Sequence, residues 1–222
     1  MRKLYHQVLC PFSRKVRVAL KEKRLDFSLQ VEKPWEGRED FLVINPAGKV
    51  PVLEDTLSMV ISDSAVICEY LEDTYSQPSL LGNDPYQRAE VRRLQVWFDE
   101  KFHKEVTEKI VFEKIFKKAK GQGYPDVAIL RAGVKNMRLH LEYAAWLLER
   151  RHWIAGDIFS LADIAAAAHL SCLDFLNAID WDHHEILKEW YSRVKSRPSF
   201  HPLLHDRIPG VLPPKHYINL DF

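Results

Sequence analysis

Cysteine and glycine are both scarce in this chain of 222 residues, which contains three cysteines and eight glycines. The cysteines, Cys10, Cys68 and Cys172, are far apart and odd in number, so they indicate a reducing compartment rather than a disulfide-linked scaffold. The sequence has no glycine-rich phosphate loop, and we assign no metal to its histidines and cysteines. We therefore expect a cytoplasmic protein without a bound metal.

An excess of one charge sign is also missing, as is a long apolar run. Lysine and arginine number 32 against 31 aspartates and glutamates, which gives a formal net charge of +1. This balance creates no global field that would attract nucleic acid or an anionic membrane. No stretch approaches the roughly 18 consecutive apolar residues of a membrane-spanning helix, so we expect no membrane insertion.

The first 77 residues alternate between the two-residue period of strands and the 3.6-residue period of helices. The pattern predicts the order β-α-β-α-β-β-α, which is the thioredoxin arrangement, and Ser13 is the expected N-cap of the first helix. The predicted strands are 3–7, 26–31, 50–54 and 57–61, and the predicted helices are 13–23, 38–44 and 63–75. The expected fold class is therefore an α/β thioredoxin-like domain at residues 1–77.

Strand patterns disappear after a linker that we place at residues 78–84. Residues 85–205 read as an all-helical domain, with one helix opening at Pro85 and three more at about 126–151, 161–176 and 185–196. Ser160 and Asp163 match a capping box at the start of the most apolar of these helices. Residues 206–222 are expected to form an extended tail, because Pro209, Pro213 and Pro214 oppose a helix.

Two segments of the first domain carry ligand-binding patterns. Val50-Pro51 places a proline at the start of a strand, where its missing N–H must face an edge or a ligand. Asp63-Ser64 opens a helix, so backbone N–H groups and a hydroxyl face outward together, an arrangement that suits a carboxylate. The alternative for Asp63 is a simple N-cap.

These segments belong to longer motifs, which resemble the glutathione S-transferase superfamily over roughly residues 1–205. The motifs are NPAGKVPVL at 45–53, ISDSAVICEYL at 61–71, RAEVRRL at 88–94, GD at 156–157 and SLADI at 160–164. The resemblance implies a cis Val50-Pro51 bond and a homodimer in which the first domain of one subunit faces the second domain of its partner. It also implies glutathione as a cosubstrate held by Phe12, Lys49, Val50, Pro51, Asp63 and Ser64. The family usually has glutamate where this chain has Asp63, a departure that bears on the contact with the ligand.

Cys10 is the candidate catalytic residue. It lies in a turn between a predicted strand and a predicted helix, where the helix dipole is expected to lower the pKa of its thiol. With Ser13 in the resolving position, a monothiol exchange with glutathione would follow. Two alternatives are that Ser13 or Tyr5 activates the thiol of glutathione itself, and that the loop has no turnover.

The tail and the loop around Trp35 point to a second interpretation. Together with other segments, EKPWE at 32–36 and PPKHYINLDF at 213–222 resemble the transferase-like division proteins of alphaproteobacteria. That resemblance implies binding to FtsZ polymers without glutathione chemistry. Trp35 is either a lid over the glutathione site or an anchor for a protein surface. The tail either packs on its own chain or binds a partner through Tyr217, Leu220, Asp221 and Phe222.

Overall fold

The computed structural model describes residues 1–56 and 59–222, in two compact units, Met1–Ser79 and Leu80–Phe222. The boundary between the units falls inside the predicted linker. Leu57 and Ser58, which belong to a predicted strand, lie outside the described residues. In the ranges 1–56 and 59–222, no helix has both the length and the apolar character needed to cross a bilayer.

The first unit contains a four-stranded sheet in the order β2-β1-β3-β4. Strands β1 and β2 are parallel, whereas β1 with β3 and β3 with β4 are antiparallel. The elements are β1 Arg2–His6, α1 Pro11–Glu22, β2 Phe27–Val31, a 3₁₀ turn Pro34–Glu36, α2 Glu39–Ile44, β3 Val52–Glu54, β4 Val60–Ser62 and α3 Ser64–Thr74. The predicted β-α-β-α-β-β-α order is confirmed.

The sheet buries apolar side chains on both faces, because strand side chains alternate between the two faces. On one face, Tyr5 and Val52 form a buried cluster with Phe41 of α2, and the rings of Tyr5 and Phe41 have centroids 5.6 Å apart. The next residues along β1 and β3, Leu4 and Leu53, are fully buried as a cross-strand pair. The short strands therefore carry apolar residues on both faces.

Three of the four basic residues of α1 are buried, whereas Lys21 is exposed. Arg14, Lys15 and Arg17 are inaccessible or nearly so, and Arg14 Nε donates a hydrogen bond to the carbonyl oxygen of Val8 at 2.8 Å. Lys23, just after α1, forms a buried ion pair with Glu72 of α3. Its side chain therefore joins the ends of two helices that are far apart in the sequence.

The second unit is all-helical in its regular structure, as predicted. One continuous helix covers residues 85–119, and five further helices follow. The long helix comprises α4 Pro85–Val96, a π-helical stretch Trp97–Thr107, α5 Glu108–Val111, a second π-helical stretch Phe112–Phe116 and α6 Lys117–Ala119; the others are α7 Val127–Leu148, α8 Leu161–Phe175, α9 Glu185–Lys195, α10 His201–Leu204 and α11 Lys215–Ile218, with a 3₁₀ turn at Trp181–His183.

Helix α8 is buried over its whole length, and one carboxylate fixes its start. Ser160 and Asp163 form the predicted capping box. Asp163 also accepts hydrogen bonds from the backbone N–H of Ile154 at 2.9 Å and from the indole N–H of Trp190 at 2.9 Å. Burial raises the pKa of this carboxyl to about 6, although its four hydrogen-bond donors act to lower the pKa. Asp163 thus connects α8, the preceding loop and α9.

The tail differs from the extended segment that the sequence predicts. Residues Lys215–Ile218 form one helical turn, α11, directly after Pro214. Proline has a fixed φ that suits the position before a helix, so the prolines restrict the tail only up to this point. Tyr217 is fully buried, and its hydroxyl donates to the carbonyl oxygen of Leu203 at 3.0 Å. Tyr217 therefore anchors the tail in the core of the second unit.

Candidate functional site

Three loops meet at one end of the sheet because of strand register. In the antiparallel pairs, Val52 at the start of β3 lies opposite Tyr5 near the end of β1 and opposite Ser62 at the end of β4. The chain before β3 and the chain after β1 and β4 therefore emerge at the same end. This register brings together Cys10, Val50-Pro51 and Asp63-Ser64, which are distant in the sequence.

Cys10 is the N-cap residue of α1, one position before Pro11. It is half-buried, and its sulfur donates a long hydrogen bond to the carbonyl oxygen of Val50 at 3.9 Å. The sequence prediction that Ser13 caps this helix is wrong. Pro11 is favoured at the first helical position, and it starts the helix three residues earlier.

Burial raises the pKa of the Cys10 thiol. Hydrogen bonds from Ser13 and Phe12 and the charge of Lys15 act in the opposite direction but do not outweigh it. The prediction of a lowered thiol pKa from the helix dipole is therefore wrong in direction. Because the thiolate is the nucleophile, the Cys10 sulfur in this conformation is a protonated, weakly reactive thiol at neutral pH.

The other catalytic candidates are held by the protein itself. Ser13 is fully buried, and its hydroxyl oxygen accepts a hydrogen bond from the backbone N–H of Gln7 at 3.3 Å. The Tyr5 hydroxyl donates to a carboxylate oxygen of Glu54 at 3.4 Å. Phe12 is half-buried, with the ammonium of Lys15 5.9 Å from its ring centre. Ser13 lies beside the Cys10 sulfur. The Tyr5 hydroxyl is instead hydrogen-bonded to Glu54 of the neighbouring strand β3.

The Val50-Pro51 bond is cis, as the family resemblance implies. Val50 is half-buried, Pro51 is buried and Lys49 is exposed. Asn45 shapes this loop, because its side-chain amide donates to the carbonyl oxygen of Lys49 at 2.8 Å and its carbonyl accepts from the N–H of Ala47 at 3.3 Å. Sequence reasoning included Asn45 in a motif but did not assign it this positioning role.

Asp63 and Ser64 occupy the start of α3. Asp63 is exposed, has a positive φ of 72°, and accepts a hydrogen bond from the N–H of Ala65 at 2.8 Å. It is thus an N-cap, and a positive φ is unusual for a residue that is not glycine. Ser64 is buried. Because β4 ends at Ser62, α3 begins at the end of the sheet where Val50 lies.

Trp35 lies at the centre of the 3₁₀ turn after β2, and its side chain is half-buried. Ion pairs hold both sides of the turn: Lys33 with Glu36 at 2.8 Å, and Arg38 with the buried Glu32 at 2.7 Å. An ion pair therefore lies within the turn and another links the residues that flank it. Among the tail residues, Tyr217 is buried, Leu220 and Phe222 are half-buried and Asp221 is exposed.

Sequence reasoning missed a buried polar group in the second unit. His169 of α8 lies with its Nδ1 2.9 Å from the hydroxyl of Thr107 and its Nε2 3.6 Å from a carboxylate oxygen of Asp99. Nearby, burial lowers the pKa of His103 to about 4, so this imidazole is neutral at physiological pH. In the part of the chain that the structure describes, no group of three or more histidine, cysteine or acidic side chains could hold a metal ion.

Two family models match the chain. The model for the N-terminal domain of glutathione S-transferase matches residues 9–74, and the model for the C-terminal domain matches residues 107–198. FtsZ-localized protein A of Caulobacter vibrioides is 46% identical, in an alignment that covers all of this chain and 98% of that protein. Glutathione S-transferase 2 of Saccharomyces cerevisiae is 28% identical over 92% of this chain and 90% of its own length.

Solved structures give the same two kinds of relative. A glutathione S-transferase from Rhodospirillum rubrum F11 is 52% identical with a TM-score of 0.98, and each chain is covered completely. FzlA from C. crescentus is 46% identical with a TM-score of 0.97, covering all of this chain and 99% of the other. The likeness therefore extends through both units and the tail.

The raised thiol pKa leads to a testable expectation for Cys10. Alkylation of Cys10 by iodoacetamide, followed by mass spectrometry of its peptide, should be slower at pH 7 than alkylation of free cysteine and should still be rising above pH 8.5. The physical reason is that only the thiolate reacts, and burial disfavours it. A rate that is already maximal at pH 7 would contradict this expectation. Cys10→Ser provides the blank.

Proposed function

Because this chain belongs to the glutathione S-transferase family, we propose that it is a cytoplasmic, division-associated member that binds FtsZ polymers. The transferase fold then acts as a rigid platform rather than as the source of a reaction. The observation that carries this proposal is the extent of the 46% identity with FtsZ-localized protein A, which spans the complete chain. It includes residues 199–222, which follow the end of the C-terminal family-model match.

The protonated state of Cys10 supports the same proposal. A thiol whose pKa is raised by burial is poorly suited to thiol exchange at cytoplasmic pH. Trp35, in contrast, has the properties of an interface anchor: a partly exposed aromatic side chain on a turn flanked by two ion pairs. We assign Trp35, Leu220, Asp221 and Phe222 as candidates for partner contact, whereas Tyr217 supports the tail from the core.

Co-sedimentation with FtsZ polymers tests this proposal. Wild-type protein should appear in the polymer pellet, and Trp35→Ala should weaken binding by roughly 30-fold, the effect of losing an anchor worth about 2 kcal/mol. Val43→Ala is the matched control, since Val43 is exposed on the neighbouring helix α2. Wild-type protein that stays in the supernatant would refute FtsZ binding. An equal loss of FtsZ binding in both variants would refute the role of Trp35 without refuting FtsZ binding itself.

We also propose glutathione binding as a second function, favoured by the loop geometry at the end of the sheet. The cis Val50-Pro51 segment, the N-terminus of α3 and the Cys10 turn emerge together there. A peptide-like ligand could place its backbone along Val50 and a carboxylate at the first N–H groups of α3. In this proposal, Phe12 and Lys49 flank the bound ligand.

Thermal unfolding with glutathione tests the second function. A concentration of 100 times the dissociation constant should stabilise the protein by about 2.7 kcal/mol. Ser64→Ala should reduce this stabilisation, because it removes the hydroxyl at the carboxylate position. Ser62→Ala, at the exposed end of β4, should not. Unfolding curves that do not respond to millimolar glutathione would refute this function and leave FtsZ binding untouched.

We further propose that the protein is a homodimer. Each unit exposes apolar side chains: Met59, Val60 and Val66 in the first, and Val96, Leu139 and Trp146 in the second. In the second unit, Trp97, Tyr143 and Trp146 form a continuous aromatic row, with ring centroids 4.6 Å and 6.2 Å apart along it. Exposed apolar patches of this kind mark protein interfaces, and a two-fold dimer would bury one patch of each unit against the other.

Sedimentation velocity tests the dimer. The wild-type protein should sediment with roughly twice the chain mass of 26.0 kDa. Trp146→Glu should shift it to the monomer, because the substitution would bury a charge in the interface. Tyr124→Glu changes a more exposed aromatic residue in a loop and should remain dimeric. A monomeric wild-type protein would refute the proposal.

A further inference from the structure

Residues 215–222 form a compact segment, here called the strap, that packs on the second unit through two aromatic anchors. The first anchor is Tyr217, which is fully buried, with its ring centre 5.2 Å from that of Phe175 in α8. The second is Phe222, whose ring lies 5.1 Å from Trp181. Trp181 is in turn stacked on Tyr191 of α9. The strap therefore covers an aromatic surface formed by α8, α9 and the turn between them.

One side chain links the strap to the unit between these anchors. Lys195, the last residue of α9, is fully buried. Its ammonium donates hydrogen bonds to the carbonyl oxygens of His216, at 3.2 Å, and Asn219. It also lies 3.8 Å from the ring centre of Phe222. Lys195 thus contacts the beginning, middle and end of the strap.

The charged groups around Lys195 come from every element packed there. Asp174 of α8 and Asp221 of the strap favour the ammonium, whereas Lys188 of α9 opposes it. Asp174 is itself buried and hydrogen-bonded to His216 Nε2 at 2.9 Å. Burial outweighs these charges and lowers the pKa of Lys195 to about 8. An ammonium buried in this way weakens the closed strap, because it has lost its hydration.

The segment before the strap is held much less firmly. Residues 205–214 contain no regular helix or strand, and Ile208 and Val211 form only an isolated backbone bridge. Leu212 is 90% exposed. This segment can therefore act as a hinge, because moving it breaks few contacts.

We propose that the strap detaches from the second unit as one piece, and that Lys195 couples its detachment to the uptake of a proton. When the strap is open, Lys195 is hydrated and holds its proton up to the ordinary lysine range. When the strap is closed, Lys195 gives up the proton at a lower pH. Between these limits the open state binds more protons, so the strap closes more tightly as the pH rises. At neutral pH the closed strap carries the full cost of the buried ammonium. The mechanism does not rest on FtsZ binding, although the strap includes Leu220, Asp221 and Phe222, which are proposed above for partner contact.

Limited proteolysis with chymotrypsin measures the opening. The bond after Tyr217 is inaccessible in the closed strap, and the rate of its cleavage follows the open fraction when opening is fast. Each rate is divided by the activity of the protease on a short peptide at the same pH. From pH 7.5 to 9.5, this ratio should fall about twentyfold, as expected for a lysine pKa of 10.5 when open and about 8 when closed.

Two variants separate Lys195 from other titrating groups. Lys195→Met removes the buried amine, so the cleavage ratio should become independent of pH. Lys188→Met removes a neighbouring and more exposed amine, 5.0 Å from the ring of Phe222, whose charge opposes the Lys195 ammonium, so the ratio should still fall with pH but less steeply than in the wild type. A ratio that is flat or rises with pH in the wild-type protein overturns the proposal, whether or not Lys195→Met folds. A slope that persists in Lys195→Met overturns the role of Lys195.

Discussion

The pairing of β3 with its two neighbours is the constraint on which the candidate site depends. Val52 is held opposite Tyr5 on one side and Ser62 on the other, so the loops that carry Cys10, Val50 and Asp63 share one end of the sheet. A slip by one residue would turn Val52 and Leu53 to the wrong faces and separate these loops. The buried cluster of Tyr5, Phe41 and Val52 opposes such a slip.

The same end of the sheet carries a fixed loop geometry and a Cys10 thiol whose pKa is raised by burial. The cis bond, the cap at Asp63 and the Asn45 bonds keep the loop geometry that a peptide ligand needs. The Cys10 sulfur nevertheless interacts with the carbonyl of Val50 and remains protonated because of burial. Loop geometry depends on the backbone, whereas thiol reactivity depends on local solvation, so the two can vary separately on one fold.

Local patterns predicted the order of elements, the capping box at Ser160 and the two-domain division, since each depends on neighbouring residues. The family resemblance supplied the cis Val50-Pro51 bond. What the sequence could not supply depends on tertiary burial. The helix dipole suggested a reactive Cys10, but desolvation reverses the shift. The prolines suggested an extended tail, yet Tyr217 is buried in the core and residues Lys215–Ile218 form a helical turn. Likewise, the sequence does not reveal that Lys195 is buried beneath that turn.

The π-helical stretch Trp97–Thr107 affects how relatives of this protein should be compared. Its hydrogen bonds span five residues instead of four, so the chain holds more residues there than a straight α-helix of the same length would. A relative without this widening would lack a residue, and a gap-free alignment would offset every later position of the helix. Each missing residue rotates the following side chains by about 100° around the helix axis. Alignments should therefore permit a gap within 97–107 before residues such as Thr107 or Ile110 are matched.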